Sequence, residues 1–304
     1  ESVHPIGPEL LTAAGHTVVY ANRDMDVIRR EIVDADAVLV RIIELPGSLL
    51  ATAKNLKIVS KHGVGYDNID LDYCKSHGIA VTITPNANSL SVAEHAFTLM
   101  LTLAKNIIPV SNEYRTVGFA AKNHAPGIEM TGKTLGLIGM GRIGKHILHM
   151  CRDGLDMHVI VYDPYISEVP EGVERVDDLS ELLRRADVVT LHCLLTDETR
   201  KLIDRERLAL MKPTALLINC ARGPIVDEAA LIEALENGRL AGAGLDVTDP
   251  EPVAPDSPLF KLPNVIVTPH YAPTTVESAT RVSKIAAENI NAVLAGQEPV
   301  GRIV

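Results

Sequence analysis

The stretch TLGLIGMGRIG, residues 134–144, decides the fold. Thr134 to Ile138 make a short apolar run of strand length, and Gly139, Gly141 and Gly144 follow at once in G-x-G-x-x-G spacing. A helical stretch, Arg142 to Arg152, continues from the turn. In that context the first glycine permits a tight turn, the second lets a pyrophosphate approach the backbone, and the third lets helix pack closely on strand. The helix N-terminus then offers amide donors and the positive end of its dipole to phosphate. Asp163 ends the next strand candidate, about twenty residues on, where a carboxylate accepts hydrogen bonds from an adenosine ribose. It also repels a 2'-phosphate, so NAD is expected rather than NADP. Arg142 is open between a phosphate contact and a solvated first-turn side chain.

Working outward, short apolar runs alternate with helical patterns along nearly the whole chain, as in βαβ units around a parallel sheet. After Thr134 to Ile138 come Val159 to Tyr162, Val188 to His192, Ala215 to Asn219, Ala243 to Val247 and Val265 to Thr268, six strands in the number a dinucleotide fold needs. Upstream, Val18 to Tyr20, Ala37 to Val40, Lys57 to Ser60 and Ala80 to Ile83 read as strands, with a short helix at Leu71 to His77. The chain begins with Pro5 and Pro8 leading into a helical Glu9 to Ala14, and an opening strand is expected to have been lost ahead of it. A long helix is expected from Val92 to about Tyr114, capped by Ser91 and Glu94 in S-x-x-E spacing and kinked or interrupted at Pro109. The final helix, Val276 to Leu294, follows the last strand and can return to the first domain. The class is α/β, with a doubly wound parallel sheet.

The 304 residues favour two domains, and 46% apolar with 22% charged residues is the balance of a globular protein with no bilayer-spanning run. A formal net charge of −10 argues against sequence-independent nucleic-acid binding, but not against a small anionic substrate held in a local positive pocket, and no membrane partner is expected. Cys74, Cys151, Cys193 and Cys220 stand singly with no C-x-x-C pair, so no metal site or disulfide framework is expected. No secretory signal is visible at Glu1 to Leu11, and a cytoplasmic setting is expected.

In a doubly wound sheet, ligands bind beyond the carboxyl ends of the strands. Three polar residues stand there: Arg222 after Asn219-Cys220, Glu251 within Asp249-Pro250-Glu251-Pro252, and His270 within Thr268-Pro269-His270. Hydride transfer to a 2-oxo acid needs a proton donor for the new alkoxide, which histidine supplies near neutral pH. A carboxylate bonded to the imidazole fixes its tautomer and favours the charged form. An arginine fork holds a carboxylate and polarises a carbonyl. Each residue singly has an ordinary reading, as a surface ion pair, loop decoration or a strand-end hydrogen bond. Three complementary groups at successive strand ends make joint coincidence a poor explanation.

The strings HGVGYDNID, SVAEHAFTLML, GKTLGLIGMGRIG, INCARGPIVDEAAL, GLDV followed by PEP, and TPH occur in that order between Lys57 and His270. On them the chain resembles the D-isomer-specific 2-hydroxyacid dehydrogenases, in the short form of the D-3-phosphoglycerate dehydrogenases. The resemblance implies that Arg222 binds substrate, Glu251 orients the histidine and His270 is the acid/base. It further implies that Val64 and Gly65 offer backbone donors to the substrate carboxylate, that Asp246 meets the nicotinamide carboxamide, and that Ile143, Cys220 and Ala221 line the cofactor. A flavodoxin-like α/β substrate domain is implied at 1–87 and 275–304, around a Rossmann NAD-binding domain at 88–274, in a homodimer. Serine feedback is not expected, since the chain ends at Val304 without a regulatory domain. Leu194 stands where a proline is typical, Asn86 where a glycine is common, and Tyr271-Ala272-Pro273 after the histidine, so substrate preference stays open.

Lys61, beside the Gly63-Val64-Gly65 turn, is expected to meet a distal anionic group of the substrate, or else to be solvated. His62 beside it is a weaker candidate, and His95 and His192 read as structural. Phosphoglycerate dehydrogenase-like hydride transfer is the leading function. Glyoxylate or hydroxypyruvate reduction and a non-catalytic NAD-sensing scaffold, similar to the corepressors of this family, are the competitors.

Overall fold

The computed structural model describes residues 3–304, which fall into two compact units. One comprises the described residues up to Asn88 together with Pro273–Val304; the other is Ser89–Ala272.

In the first unit β1 (Ala37–Val40), β2 (Ile58–Lys61) and β3 (Ala80–Thr82) lie parallel in the order β1-β2-β3. All four residues of β2 are buried, as expected of a central strand covered on both faces. Leu50, Val59, Cys74 and Val81 pack in a core on one side, while Leu11, Ile58, Ala287 and Ile290 pack in another. The second group brings the Ile6–Ala13 and Val276–Leu294 helices onto the sheet. The latter starts at Thr275, whose side chain accepts from Ser278 N, and buries Ser278, Val282, Ser283, Ala286 and Ile290 at helical spacing.

Val18 to Tyr20, expected as a strand, joins no ladder. Val19 and Tyr20 are more than half exposed, and no described strand lies alongside to pair their backbone groups.

The second unit carries seven parallel strands: β4 (Thr134–Ile138), β5 (His158–Tyr162), β6 (Val173–Arg175), β7 (Val188–Leu191), β8 (Leu216–Asn219), β9 (Gly242–Leu245) and β10 (Val265–Val267). Their order is β10-β9-β8-β7-β4-β5-β6. The chain therefore winds outward from β4 through β5 to β6, crosses back, and continues from β7, so the direction reverses between β4 and β7. Alternate residues serve opposite faces. Val189, Leu191, Leu217, Ala243 and Leu245 join one core with Leu182 and Leu231, whereas Leu135, Leu137, Val188, Leu216 and Ile218 join another with Leu99, Ile147 and Cys151. The Arg142–Leu155 helix buries Gly144, Ile147, Leu148 and Cys151, a stripe of one helical face.

Three expectations for this unit are refined. β6 is a seventh strand, short and largely exposed, that no apolar run announced. The expected long helix is two, Ser89–Ala104 and Ile107–Val117, parted at Asn106, which adopts left-handed φ 50°. The expected interruption thus occurs, three residues before Pro109, which lies in the first turn of the second helix, where its missing donor and fixed φ cost little. Because the first helix is already under way at Ser89, Ser91 and Glu94 sit inside it rather than forming its cap. Among the described residues, no helix is long and apolar enough to cross a membrane.

Candidate active site

Every candidate in the second unit follows the carboxyl end of a strand, which the parallel register brings to one edge of the sheet. At the reversal point Gly139 has φ +89°, and a Cβ there would lie 2.8 Å from His192 C and Cys193 N. The turn after β4 thus presses against the loop after β7, with room for hydrogen alone. A Cβ on Gly144 would reach Gly139 O at 2.3 Å, so the helix also closes directly on its own turn. Around Gly141 the opposite holds: nothing lies within 4 Å of a Cβ built there. Open space at the N-terminus of the Arg142–Leu155 helix, bounded by two glycines that permit no side chain, fits a dinucleotide pyrophosphate.

Asp163 holds this turn. Its Oδ2 accepts from Met140 N at 2.8 Å and its Oδ1 from Tyr165 N at 3.0 Å. A carboxylate has about four acceptor positions, so two remain for a ribose diol. Arg142 and Ile143 open the helix beyond.

Arg222 is in extended backbone on the loop after β8. The side chain of Asn219, which the sequence reading passed over, organises that loop: Nδ2 donates to Arg222 O at 2.9 Å and Oδ1 accepts from Ala221 N at 3.0 Å. Asn219 is buried, and its position as the last residue of an apolar strand was the available signal. Next to Arg222, a Cβ on Gly223 would meet Thr248 O at 1.9 Å. The loop carrying Arg222 therefore lies directly against the loop after β9, which carries Glu251. Cys220 is buried, and burial with the nearby Asp246 charge raises its thiol well above the ordinary range. Cys193 is pushed up to about 11 by burial. Both thiols are held protonated.

His270 Nδ1 is 2.7 Å from Glu251 Oε1, and both side chains keep about a third of their surface or more in solvent. A carboxylate accepts only, so Nδ1 bears the hydrogen of this bond and Nε2 is left as the nitrogen that can exchange a proton with a bound molecule. Asp246 lies 1% exposed, with Oδ1 accepting from Thr268 Oγ1 and Tyr271 N and Oδ2 from Ala272 N. Three of its roughly four acceptor positions are taken by protein donors, which makes it first a clamp on the loop after β10.

His192 at the end of β7 is lowered to about 3 by burial, its Nε2 against Thr190 Oγ1 at 2.8 Å, and it stays neutral.

In the first unit, Val64 and Gly65 lie on a half-buried turn after β2, pinned by Thr84, whose amide and hydroxyl both donate to Gly63 O. Asn86, where glycine is common, has φ 64°, a conformation asparagine tolerates better than most residues. Lys61 is not solvated. It is 7% exposed, and its ammonium donates to Asn68 Oδ1 at 2.5 Å and to Arg41 O. The ammonium is turned onto protein acceptors and braces the turn, so Lys61 is buried rather than solvated.

Residues 97–272 match the model of the D-isomer specific 2-hydroxyacid dehydrogenase NAD binding domain. The D-3-phosphoglycerate dehydrogenase of Methanocaldococcus jannaschii is 42% identical over 301 residues, 98% of this chain and 57% of that protein. The glyoxylate reductase of Thermofilum pendens is 39% identical over 308 residues, 96% of this chain and 89% of that one. The crystal structure of D-lactate dehydrogenase from Aquifex aeolicus, complexed with NAD and lactic acid, superposes with a TM-score of 0.87 at 34% identity, covering 96% of this chain and 92% of that one. The chain spans about half the length of the phosphoglycerate dehydrogenases it matches. The seven-stranded unit binds a nicotinamide dinucleotide, and the chain belongs to the D-isomer specific 2-hydroxyacid dehydrogenase family.

Proposed function

We propose that this protein is an NAD-dependent oxidoreductase transferring a hydride between nicotinamide and C2 of a small D-2-hydroxy acid or its 2-oxo partner, as a phosphoglycerate dehydrogenase does. The observation that carries the reading is the His270–Glu251 pair, 2.7 Å apart at the carboxyl edge of a dinucleotide-type sheet.

Gly139, Gly141, Arg142, Ile143 and Gly144 hold the pyrophosphate, and Asp163 the adenosine ribose. Cys220 and Ala221 line the nicotinamide end, and the remaining acceptor position of Asp246 takes the carboxamide. When bound, the dinucleotide supplies the hydride in reduction and accepts it in oxidation. Arg222 holds the substrate carboxylate with its planar fork and draws electron density from the C2 carbonyl. Val64 and Gly65 are assigned to substrate binding through their backbone donors. In reduction, His270 Nε2 gives its proton to the C2 oxygen as the C=O bond becomes C–OH; in oxidation it takes that proton back. Glu251 keeps Nδ1–H in place and offsets the imidazolium charge.

The substrate role falls to residues 1–87 and 275–304 and the nucleotide role to 88–274. A homodimer is supported by the Ile107–Val117 helix, which buries no residue and exposes Ile107, Ile108, Tyr114 and Val117, with Phe119 just beyond. A cytoplasmic setting is supported by four free cysteines.

The decisive experiment follows NADH consumption with glyoxylate, hydroxypyruvate, pyruvate, phosphohydroxypyruvate and sulfopyruvate. Turnover of one acid that vanishes in His270→Asn is expected. Silence on all five while NADH still binds would overturn the enzymatic reading in favour of a sensing scaffold. For the cofactor, Asp163→Asn should relax discrimination against NADP on the order of tenfold, because it removes the like charge while keeping an acceptor for the backbone. An unchanged NAD to NADP ratio of kcat/KM would sink the ribose assignment.

A further inference from the structure

His270 occupies the left-handed region, with φ 52°. For a residue with a Cβ this conformation is strained and persists only where the surroundings over-determine it. Glu251 grips the imidazole, not the backbone. The backbone is held from Asp246, whose main-chain oxygen accepts from His270 N at 2.8 Å while its carboxylate takes Tyr271 N at 2.7 Å and Ala272 N at 2.9 Å. Thr268, on the other side of His270, gives its hydroxyl hydrogen to the same carboxylate at 2.5 Å.

Behind this clamp stands His95 of the Ser89–Ala104 helix. Its Nε2 is 3.0 Å from Thr268 Oγ1 and 3.5 Å from Asp246 Oδ1, and its side chain is 17% exposed. Its ring meets Tyr271 edge-on at 6.1 Å. The hydrogens can be counted. A hydroxyl has one to give, and the carboxylate, which only accepts, receives it. Thr268 Oγ1 is therefore an acceptor toward His95, and His95 Nε2 carries the hydrogen. The chain of donation runs from His95 to Thr268 to Asp246.

We propose that His95 is a positioning residue for His270, acting through its Nε2–H on Thr268 and Asp246 to hold the 268–272 loop where the imidazole meets Glu251. This inference rests on the hydride-transfer reading above. Without that donor Thr268 loses the bond that orients its hydroxyl, and the buried Asp246 charge loses part of its compensation. The strained backbone at His270 is then free to relax. The glycine turn and Asp163, which hold the pyrophosphate and ribose, lie on other loops, so dinucleotide affinity should change far less than kcat, with only the Asp246 contact to the carboxamide exposed to the loss.

The test compares His95→Leu, which removes the donor, with His95→Gln, whose side-chain amide restores N–H near the Nε2 position. In the full chain, with NADH and the acid it reduces fastest, His95→Leu should lower kcat on the order of tenfold to a hundredfold, since small misplacements of a reacting group cost that much. NADH affinity by fluorescence titration should fall no more than a few-fold, hydrogen exchange at the Tyr271 and Ala272 amides should quicken, and His95→Gln should recover most of the losses in kcat and protection. Turnover that depends on His270 but is indifferent to His95→Leu would overturn the inference and leave the enzymatic reading standing. So would a kcat loss that His95→Gln does not recover. Absence of any His270-dependent turnover in the unaltered protein would overturn the parent reading and this one with it. Should His95→Leu fail to fold, His95→Asn replaces it: its amide reaches the Nδ1 position instead, and equal kcat in the Asn and Gln variants would sink the proposal.

Discussion

His270 and His62 each stand just beyond a parallel strand, His62 directly after β2 and His270 three residues after β10, yet their surroundings give them opposite chemistry. His270 is partly open to solvent, with Nδ1 on a carboxylate. His62 has its Nε2 on the Ser283 hydroxyl at 2.8 Å and is driven down to about 4, by burial first and then by the charges of Arg41 and Lys61. One imidazole is bonded to a carboxylate at the protein surface; the other is dehydrated beside two cations. Position at a strand end nominates a histidine, and the sign of the charge around it decides whether it can carry a proton.

The comparison breaks most severely at His270. His270→Ala is expected to lower kcat about a thousandfold, within the usual contribution of a positioned acid/base, with NADH affinity intact by fluorescence titration. Equal loss of NADH binding would make His270 a structural residue of the same kind as His62. Next in size is Glu251→Gln, which keeps an acceptor for Nδ1–H but removes the charge that makes His270 unlike His62. A loss of kcat on the order of tenfold to a hundredfold is expected in the same assay. Full activity in Glu251→Gln would mean that orientation alone, which a neutral partner can also supply, accounts for the pair.

What the sequence disclosed differs between these two environments for a physical reason. The glycine turn, Asp163 and the three strand-end groups sit on short loops whose place follows from strand order, so linear spacing carried them. The apolar strands were legible because they read as continuous apolar runs, as strands covered on both faces do, and even half-buried β10 keeps such a run. β6, three residues of which two are charged, has no such run and is held by pairing with β5 alone. The break at Asn106 hides in an otherwise helical pattern, because a single left-handed residue leaves no periodic trace. That Lys61 is buried rather than solvated was not legible, because nothing local tells whether an ammonium faces water or the side chain of Asn68. Asn219 and His95 act through partners that are near in space, and for His95 and Thr268 remote in sequence, which spacing within one motif cannot report.

The smallest expected effect sharpens the comparison from the other side, in stability rather than turnover. The His62 imidazole has an ordinary value of 6.5 in the unfolded chain and about 4 in the folded protein, so between these values the unfolded chain binds the proton and the folded protein does not. The stability that neutral burial permits is whole above pH 6.5 and drains away as pH falls toward 4, by at most roughly 3 kcal/mol for a shift of this size. His192, lowered to about 3 by burial, adds to the same fall and extends it further into acid. Urea unfolding of the unaltered protein should show its midpoint dropping through this window. His62→Gln, whose amide can still meet Ser283 but takes up no proton, should start less stable by about 1 kcal/mol, as polar substitutions at packed sites do, and fall less steeply. An undiminished slope in His62→Gln would show that the folded protein charges His62 as readily as the unfolded chain does. The contrast with His270 would then rest on partner geometry, and burial beside Arg41 and Lys61 would no longer explain it.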